Sequence, residues 1–360
     1  MEPLQAGALA DVLPSVASHL APGVAADSLG LPEADRYAVL LVDGLGWFNL
    51  WDDPSVAPAL AALRAARLTT GLPSTTTASL ATLATGADTA RHGLVGYSFR
   101  TRPGVVMQTM TWDDATFIPE VAQPVPTWFE RLDGCAVVVP AAFAGSGLTR
   151  AVLRGAAFVP VPDERDWPSR VAQAVETVAA HRLTYVYERG LDHIGHRHGW
   201  RTSAWRHHLG LVDAYAASLL QSLPSGTALL VTGDHGMVDV PKTHRVFIED
   251  EPSLAADVDL IGGEARLRHI YTADPVAVAS RWAEWWGPRA DVRLRQDAMD
   301  WFGSVPPSAQ VAQRLGDVVL AMKDDWAACT ATRPREASMT GLHGSATEQE
   351  RTVPLLTALV

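Results

Sequence analysis

The stretch Tyr37–Val42 reads Tyr-Ala-Val-Leu-Leu-Val and is followed at once by Asp43-Gly44-Leu45-Gly46. A short, continuous apolar run that is rich in β-forming residues predicts a strand buried on both faces, as in a parallel sheet. The abrupt change to aspartate and glycine predicts that this strand ends in a loop. In open α/β sheets, ligands bind beyond the carboxyl ends of the strands. Asp43 is therefore a candidate site residue.

Further along the chain, apolar runs alternate with segments of helical pattern. The runs predict strands, and the segments between them predict helices or, in one case, a hairpin. The predicted strands are Cys135–Pro140, Ala157–Val161, Leu183–Glu188 and Ala228–Thr232, the helices are Val56–Ala66, Thr127–Leu132, Trp167–His181 and Ser203–Leu223, and the hairpin spans Leu94–Trp112. This order predicts an α/β fold in which a mainly parallel sheet is sandwiched between helices.

The composition changes between residues 241 and 335, where tryptophans are frequent. Short predicted strands (Arg268–Tyr271, Val292–Arg295, Val318–Ala321) alternate there with short predicted helices (Val276–Trp286, Ser308–Leu315). We therefore predict a catalytic core of residues 1–240 and 336–360, with residues 241–335 inserted as a small α/β cap over the site. The tryptophans either pack in the core of this cap or stack on a base or apolar group of a ligand.

Composition limits the class of protein. The 360 residues are 48% hydrophobic and 19% charged, with a net charge of −11. An acidic chain is not expected to coat nucleic acid, because such proteins concentrate Lys and Arg against phosphates. There are only two cysteines, no apolar run long enough to span a membrane, and no signal-peptide pattern in Met1–Leu31. These features predict a cytoplasmic protein with no membrane contact.

The stretch Gly71–Gly86 reads GLPSTTTASLATLATG and combines a turn signal with a run of hydroxyl residues. The hydroxyl residues are good helix caps, and the Ala-rich run after them predicts a helix closed by Gly86. One hydroxyl is thus held at a helix N-terminus. The free backbone N–H groups and partial positive charge there favour an anion and stabilise an alkoxide.

Residues of the types that bind metals follow several predicted strands, each in a glycine-flanked turn. Asp192 and His196 follow one strand, Asp234 and His235 follow another, and His343 lies in a late Gly-Leu-His-Gly-Ser segment. Glycine lets the backbone bend close to a ligand. A mixture of carboxylates and imidazoles suits zinc, with Mn²⁺ or another divalent ion as the alternative.

Taken in order, these motifs resemble the alkaline phosphatase superfamily and, within it, the nucleotide pyrophosphatase/phosphodiesterase family. The resemblance spans about residues 37–345 and covers the 241–335 segment poorly. It is carried by Val42-Asp43-Gly44, Leu72-Pro73-Ser74-Thr75-Thr76, Thr85-Gly86, Arg91-His92-Gly93, Asp192-x-x-Gly195-His196, Gly233-Asp234-His235-Gly236-Met237 and Leu342-His343-Gly344.

The resemblance implies a hydrolase with two Zn²⁺ ions that cleaves phosphodiester or nucleotide pyrophosphate bonds of small molecules. Thr76 would be the nucleophile and would form a phosphothreonine intermediate. By the same resemblance, one zinc is held by Asp192, His196 and His343, and the other by Asp43, Asp234, His235 and the Thr76 oxygen. Two metals about 3.5–4 Å apart hold the attacking and leaving oxygens of an in-line displacement.

The sequence departs from the family pattern at one point. Where the family usually has an asparagine that bonds a phosphoryl oxygen, Gly93-Leu94-Val95-Gly96 leads to Tyr97. Tyr97 or Ser98 is the predicted replacement donor. Because none of Arg91, Arg189 and Arg197 occupies a position that the resemblance assigns to phosphate, we expect diesters to be preferred to monoesters, which benefit from a further cation.

Other functions fit parts of the pattern. A phosphonate (C–P bond) hydrolase or a phosphomonoesterase would use the same site, and a metal-dependent binding module would keep the ligands without turnover. The sulfatase-like segment Cys329-Thr330-Ala331-Thr332-Arg333 lies late in the chain, and Thr76 already fills the nucleophile position, so we interpret it as coincidental. The sequence does not name the natural substrate.

Overall fold

The computed structural model describes residues 4–360. Residues Met1–Pro3 lie outside the described part, although the predicted catalytic core and the segment examined for a signal peptide both begin at Met1. Its strands are β1 Gly7–Ala8, β2 Arg36–Val42, β3 Arg64–Thr69, β4 Ser98–Arg102, β5 Val105–Gln108, β6 Cys135–Pro140, β7 Ala157–Val161, β8 Leu183–Glu188, β9 Thr227–Thr232, β10 Val238–Asp239, β11 Arg245–Phe247, β12 Leu260–Glu264, β13 Leu267–Tyr271, β14 Ala290–Leu294, β15 Val318–Met322, β16 Ala327–Cys329, β17 Gly341–Leu342 and β18 Thr352–Leu359.

The same residues form α-helices of very different lengths, joined in places by short 3₁₀ turns. They are α1 Val12–Leu20, α2 Trp47–Trp51, α3 Pro58–Ala61, α4 Thr76–Thr85, α5 Thr89–His92, α6 Pro119–Ala122, α7 Trp128–Arg131, α8 Gly147–Val152, α9 Trp167–Ala180, α10 Gly190–His198, α11 Ser203–Ser222, α12 Pro252–Ala255, α13 Pro275–Trp286, α14 Met299–Phe302, α15 Ala309–Ala312 and α16 Glu348–Arg351.

The central sheet has eight strands in the order β1-β3-β18-β9-β2-β8-β6-β7. Strand β18 runs antiparallel to both of its neighbours, and every other pairing in the sheet is parallel. The predicted α/β fold with a mainly parallel sheet is confirmed. Because β9, β2 and β8 are adjacent and parallel, the loops after these three strands leave the sheet at the same edge.

Both faces of the sheet are covered, which explains the continuous apolar run of β2. Tyr37, Val39 and Leu41 pack into the hydrophobic cluster on one face, while Ala38 and Leu40 pack into the cluster on the other. Side chains alternate across a strand, so a strand covered on both sides needs apolar residues at every position.

A second, four-stranded sheet forms within the predicted cap, with the order β12-β13-β15-β14 and antiparallel pairing throughout. Trp282 and Trp286 of α13 are fully buried in its core, together with residues such as Ile270 and Leu320. These two tryptophans therefore serve packing and do not face a ligand. The domain boundaries at residues 240 and 335 stay a prediction.

Several predicted elements differ from those observed. The predicted helix Val56–Ala66 is wrong, because the chain there makes only the four-residue helix α3 before β3 begins at Arg64. Asp192 and His196 do not lie in a turn, as predicted, but on α10. Strands β3 and β18 were not predicted. The strands Cys135–Pro140, Ala157–Val161 and Leu183–Glu188 match at both ends.

Cys135 and Cys329 are both buried and are not joined in a disulfide. Among the helices of residues 4–360, none is both long and apolar enough to cross a membrane.

Candidate active site

Three adjacent strands bring the predicted ligands together at one edge of the central sheet. Asp43 follows β2 directly, Asp234 lies two residues after β9, and Asp192 lies on the first turn of α10 just beyond β8. Each of these three side chains is at most 8% exposed. The predicted carboxylate cluster is therefore assembled by the order β9-β2-β8.

One group of close donor atoms consists of Asp43, Asp234 and His235, whose candidate ligand atoms all lie within 4.8 Å of one another. His235 Nε2 is 3.3 Å from Asp43 Oδ1 and 3.5 Å from Asp234 Oδ2. The hydroxyl oxygen of Thr76 lies beside this group, 3.2 Å from His235 Nε2 and 3.4 Å from Asp43 Oδ1. The predicted nucleophile and one predicted ligand set are thus in contact.

The second group of close donor atoms is Asp192, His235 and His343. His343 Nε2 is 3.9 Å from Asp192 Oδ1, and its ring stacks on that of His235 with 3.6 Å between the centroids. His196 lies one helical turn after Asp192 on α10, and its Nε2 is 3.3 Å from Asp192 Oδ2. Residues four apart share a helix face, so this pair points the same way. The assignment of ligands to individual metals stays a prediction.

The three histidines are oriented by backbone carbonyls. The Nδ1 atoms of His196, His235 and His343 lie 2.7, 3.1 and 3.1 Å from the carbonyl oxygens of Gly341, Gly236 and Ser74. An Nδ1–H that donates to a carbonyl leaves Nε2 as the free nitrogen, the usual arrangement of a metal-binding histidine. All three Nε2 atoms are thereby available to the carboxylate cluster.

Hydrogen bonds also orient two of the carboxylates, but two carboxylate oxygens of the cluster have no hydrogen-bond partner in the described chain. Asp43 accepts a hydrogen bond from the Tyr187 hydroxyl, and Asp234 Oδ1 accepts from the backbone N–H of Gly44 at 3.0 Å. Asp192 Oδ1 and Asp234 Oδ2 are buried and accept no hydrogen bond from any residue in 4–360. A buried carboxylate oxygen without a partner is costly unless it binds a cation. These residues therefore fit a metal.

The pKa values of the cluster reflect this crowding of charge. Burial and the nearby Asp43 charge raise the pKa of Asp234 to about 7 and hold that of Asp192 well above its usual value. Burial alone would lower the pKa of His235, but the charges of Asp234 and Asp43 outweigh it and raise the value to about 10. Without metal, the site retains protons that a bound cation would displace.

Thr76 is the first residue of α4, and Thr75 occupies the preceding N-cap position. The helix ends as predicted at Gly86, whose φ of 67° is the left-handed conformation that glycine adopts readily. Every residue of α4 is buried. The Thr76 side chain thus lies at the buried N-terminus of a helix, where free backbone N–H groups favour an anion.

The family model described as "Type I phosphodiesterase / nucleotide pyrophosphatase" matches residues 37–346. The chain belongs to the type I phosphodiesterase/nucleotide pyrophosphatase family. It is therefore a hydrolytic enzyme of a metal-dependent family in the alkaline phosphatase superfamily, as the sequence motifs predicted. None of the curated proteins matches the sequence.

Solved structures of the superfamily share the fold at low sequence identity. Human ectonucleotide pyrophosphatase/phosphodiesterase 5 has a TM-score of 0.69 at 15% identity, covering 89% of this chain and 87% of that one. An inactive threonine-to-alanine variant of the murine protein, in complex with AMP, has a TM-score of 0.68 at 16% identity with the same coverage. Phosphonoacetate hydrolase from Sinorhizobium meliloti, in complex with phosphonoacetate, has a TM-score of 0.68 at 18% identity, covering 91% of each chain.

The predicted substrate donors of this phosphodiesterase family member lie on β4 and just before it. The hydroxyl of Tyr97 donates to Gln108 Oε1 at 3.2 Å, and the ring is half-buried. The hydroxyl of Ser98 is fully buried and donates to the carbonyl of Gly263 at 2.8 Å. The substrate-binding roles of Tyr97 and Ser98 stay predictions. The Ser98 hydroxyl already donates its proton to the Gly263 carbonyl, so it is not free to donate to a substrate in this conformation.

Two residues near these donors were not predicted. Arg333 donates to the Ser98 hydroxyl and, at 2.6 Å, to the Gly263 carbonyl, and its guanidinium lies 5.9 Å from the Tyr97 ring. Glu264 reaches the N-terminus of α4, where it accepts a hydrogen bond from Thr75. No local sequence signal marks either one, although Arg333 is the last residue of the sulfatase-like segment. In that segment, burial raises the pKa of the Cys329 thiol to about 11, which does not favour a thiolate nucleophile.

Of the arginines Arg91, Arg189 and Arg197, Arg189 pairs with Glu164 at 2.8 Å and the other two are exposed. Arg333, in contrast, donates to the Ser98 hydroxyl and lies beside the Tyr97 ring.

Proposed function

We propose that this protein hydrolyses phosphodiester or nucleotide pyrophosphate bonds through a phosphothreonine intermediate on Thr76, with two zinc ions as cofactors. Mn²⁺ or another divalent ion is the alternative metal. The observation that carries the proposal is the position of the Thr76 hydroxyl, which lies 3.2 Å from His235 and 3.4 Å from Asp43 at the buried start of α4. A threonine that served only as a cap would not need to contact two metal-ligand side chains.

The proposed ligand sets are those implied by the family resemblance. One metal is held by Asp43, Asp234, His235 and Thr76, and the other by Asp192, His196 and His343. The close contacts of Asp43, Asp234 and His235 support the first set. For the second set, His196 lies 3.3 Å from Asp192 and His343 lies 3.9 Å from it, although the close donor group there contains His235 and not His196. When bound, the metals would neutralise the buried carboxylates and the substrate phosphate and would lower the pKa of a bound hydroxyl.

The chain itself supplies the nucleophile and its surroundings. The Thr76 hydroxyl loses its proton as its oxygen attacks phosphorus, a Thr76–O–P bond forms, and the bond between phosphorus and the leaving oxygen breaks, with that oxygen leaving as an alcohol or as a phosphate group. Water then attacks the same phosphorus, its oxygen stays on phosphorus, and one of its protons returns to the Thr76 oxygen as the Thr76–O–P bond breaks. The products are a phosphate monoester and the alcohol or phosphate compound that left. The N–H groups at the start of α4 stabilise the negative charge near phosphorus in both steps.

The similar structures support this assignment. The murine relative is described as inactive when a threonine is replaced by alanine, and its ligand is AMP. Phosphonoacetate hydrolase holds phosphonates in a similar fold, so phosphonate hydrolysis at the same site stays an alternative.

Phosphomonoester hydrolysis is a second candidate function because of Arg333. The Arg333 side chain is only 10% exposed and lies beside Tyr97, where a cation would suit the second negative charge of a monoester. Its Nη1 is already bonded to Gly263 and Ser98, however, and Tyr97 is a neutral donor. We therefore retain the diester or pyrophosphate as the preferred substrate.

The test is an assay of the purified protein with bis-(p-nitrophenyl) phosphate before and after metal removal. We expect turnover that a strong chelator abolishes and added Zn²⁺ restores. Full activity after metal removal verified by elemental analysis would refute a metal-dependent mechanism. Metal binding without turnover on any ester or phosphonate tested would instead support the binding-module alternative.

A further inference from the structure

Glu264 is a buried carboxylate beside the nucleophile that neither predicted metal set contains. It is the last residue of β12 in the four-stranded sheet and is 8% exposed. Its Oε2 accepts a hydrogen bond from the Thr75 hydroxyl at 2.8 Å, whereas Oε1 is buried and has no hydrogen-bond partner in the described chain. An unpaired buried carboxylate oxygen lowers stability, so stability alone does not explain this residue.

The surrounding backbone makes room for this carboxylate. Gly344 has a φ of 127°, and a Cβ atom there would lie 2.8 Å from Glu264 Cδ. Gly344 follows His343, whose Nδ1 is 3.8 Å from Glu264 Oε2, and its carbonyl accepts from the Ser74 N–H at 3.1 Å. Glu264 therefore lies where the nucleophile loop, the His343 loop and the small sheet meet.

The contact changes what Thr75 does at the start of α4. Thr75 is the N-cap residue, with extended backbone angles (φ −141°, ψ 149°), yet its side chain makes no capping hydrogen bond. A capping threonine normally accepts from the backbone N–H of the second or third helical residue. Because the Thr75 hydroxyl bonds Glu264 instead, it does not occupy the backbone N–H of the second or third residue of α4. These N–H groups are left free beside Thr76, and the N-terminus of a helix favours an anion.

We infer that Glu264 is a positioning residue for the reaction. By holding the Thr75 hydroxyl away from α4, it keeps the backbone N–H groups of the first turn free for the phosphoryl oxygens and fixes the backbone that carries Thr76. Without Glu264, the Thr75 hydroxyl would turn back and cap its own helix. This inference rests on the proposed function, since it assumes that the phosphoryl group is bound at the start of α4.

The experiment compares Glu264→Ala, Glu264→Gln, Thr75→Val and the double variant Thr75→Val/Glu264→Ala in the zinc-loaded enzyme. Each is assayed for kcat and KM with bis-(p-nitrophenyl) phosphate, and metal content and Tm are measured on the same samples. We expect Glu264→Ala to lower kcat about tenfold to a hundredfold with an unchanged metal content, as a misplaced reacting group does. Glu264→Gln retains an oxygen acceptor for Thr75 and should restore most of the loss.

The Thr75→Val replacement tests whether the Thr75 hydroxyl itself causes the loss of activity in Glu264→Ala. Valine has the shape of threonine but cannot cap the helix, so the double variant removes both the contact and the competing cap. We expect kcat of the double variant to be no lower than that of Glu264→Ala, because the two changes act on one interaction. Ser79→Ala is the matched control, since the buried Ser79 hydroxyl has no hydrogen-bond partner in residues 4–360 and its backbone N–H already bonds the Thr75 carbonyl, and its kcat should not change.

Three results would overturn the inference. Unchanged kcat in Glu264→Ala would show that the contact has no catalytic effect, and losses that multiply in the double variant would show that the two residues act independently. A loss of bound zinc in Glu264→Ala that matches the loss of kcat would make Glu264 a metal ligand instead. Failure of the proposed function is recognised separately, because the unsubstituted zinc-loaded protein would then show no turnover, or Thr76→Ala would keep its activity, whatever the Glu264 variants do.

Discussion

The replacement Thr76→Ala removes one hydroxyl and one methyl group at the start of α4. No capping bond of Thr76 is lost, because the N-cap position belongs to Thr75. Losing the buried methyl costs about 0.8 kcal/mol, and alanine in place of threonine in a helix returns up to about 0.7 kcal/mol. Losing the hydroxyl contacts with Asp43 and His235 costs about 1–3 kcal/mol, so we expect the free energy of unfolding to fall by about that amount.

The effect on turnover should be far larger. Thr76 Oγ1 is the hydroxyl oxygen that lies 3.2 Å from His235 Nε2 and 3.4 Å from Asp43 Oδ1, so its loss removes the proposed nucleophile but leaves six ligand side chains. We expect kcat to fall by at least about 10³-fold, as when a covalent nucleophile is deleted. Activity is measured with bis-(p-nitrophenyl) phosphate, and zinc content and Tm are measured on the same sample.

Thr76→Ser and Thr77→Ala are the matched variants. Thr76→Ser keeps a hydroxyl and should retain measurable turnover, whereas Thr77→Ala removes a neighbouring buried hydroxyl and should remain active. Near-normal turnover of zinc-loaded Thr76→Ala would refute the phosphothreonine intermediate and indicate direct attack by water. Complete inactivity of Thr75→Ala or Thr77→Ala, with Thr76→Ala active, would place the nucleophile at another position of the threonine run.

Other predictions concern the metals and the substrate. Asp43→Asn and His343→Ala should each lower the zinc content found by elemental analysis, because each removes a proposed ligand, and full occupancy in both would contradict the ligand sets. Since the pKa values of about 7 for Asp234 and about 10 for His235 are raised, the metal-free site holds protons near neutral pH, and metal binding must release them. Zinc affinity should therefore rise with pH. Proton release is measured by calorimetry of zinc binding in buffers of different ionisation enthalpy, and binding without proton release would contradict this prediction. We also expect a higher kcat/KM for bis-(p-nitrophenyl) phosphate than for p-nitrophenyl phosphate. Arg333→Gln should lower kcat/KM for the monoester more than kcat/KM for the diester. A clear preference for the monoester would instead favour the phosphomonoesterase function.

The central sheet was largely predictable because its strands carry a local signal. A strand covered on both faces is apolar at every position, so runs such as Tyr37–Val42 and Leu183–Glu188 stand out from their neighbours. Strand β3 reads Arg-Ala-Ala-Arg-Leu-Thr and lacks that signal, since alternate residues are exposed. The start of β3 was therefore included in the predicted helix Val56–Ala66. Its partner strand β18 was not predicted either.

Five of the six ligand residues lie next to a glycine and Asp192 lies two residues after one, and all except His343 follow a predicted strand. This pattern marked them as candidates, but it did not contain their grouping. His235 belongs to both groups of close donor atoms in the fold, whereas the family resemblance implied only one. The position of His196 on a helix explains its pairing with Asp192 better than the predicted turn, since residues four apart on a helix face the same side. Distances between loops depend on the strand order, which the motifs do not give.

Glu264 and Arg333 were beyond prediction because contacts between distant segments place the small sheet against the site. Leu267, Val319 and Ala321 pack in the same hydrophobic cluster as the central sheet, and a buried ion pair adds to this packing. Arg266 lies two residues after Glu264 and bonds both oxygens of Glu350, at 3.0 and 2.7 Å, with both side chains fully buried. Glu350 also accepts from the backbone N–H of Ser345, just after His343. Removing one partner of such a pair costs about 3–5 kcal/mol, because the other charge is left buried without a partner. The ion pair and the apolar packing together hold the end of β12 near the start of α4, and the sequence of neither segment alone indicates this contact.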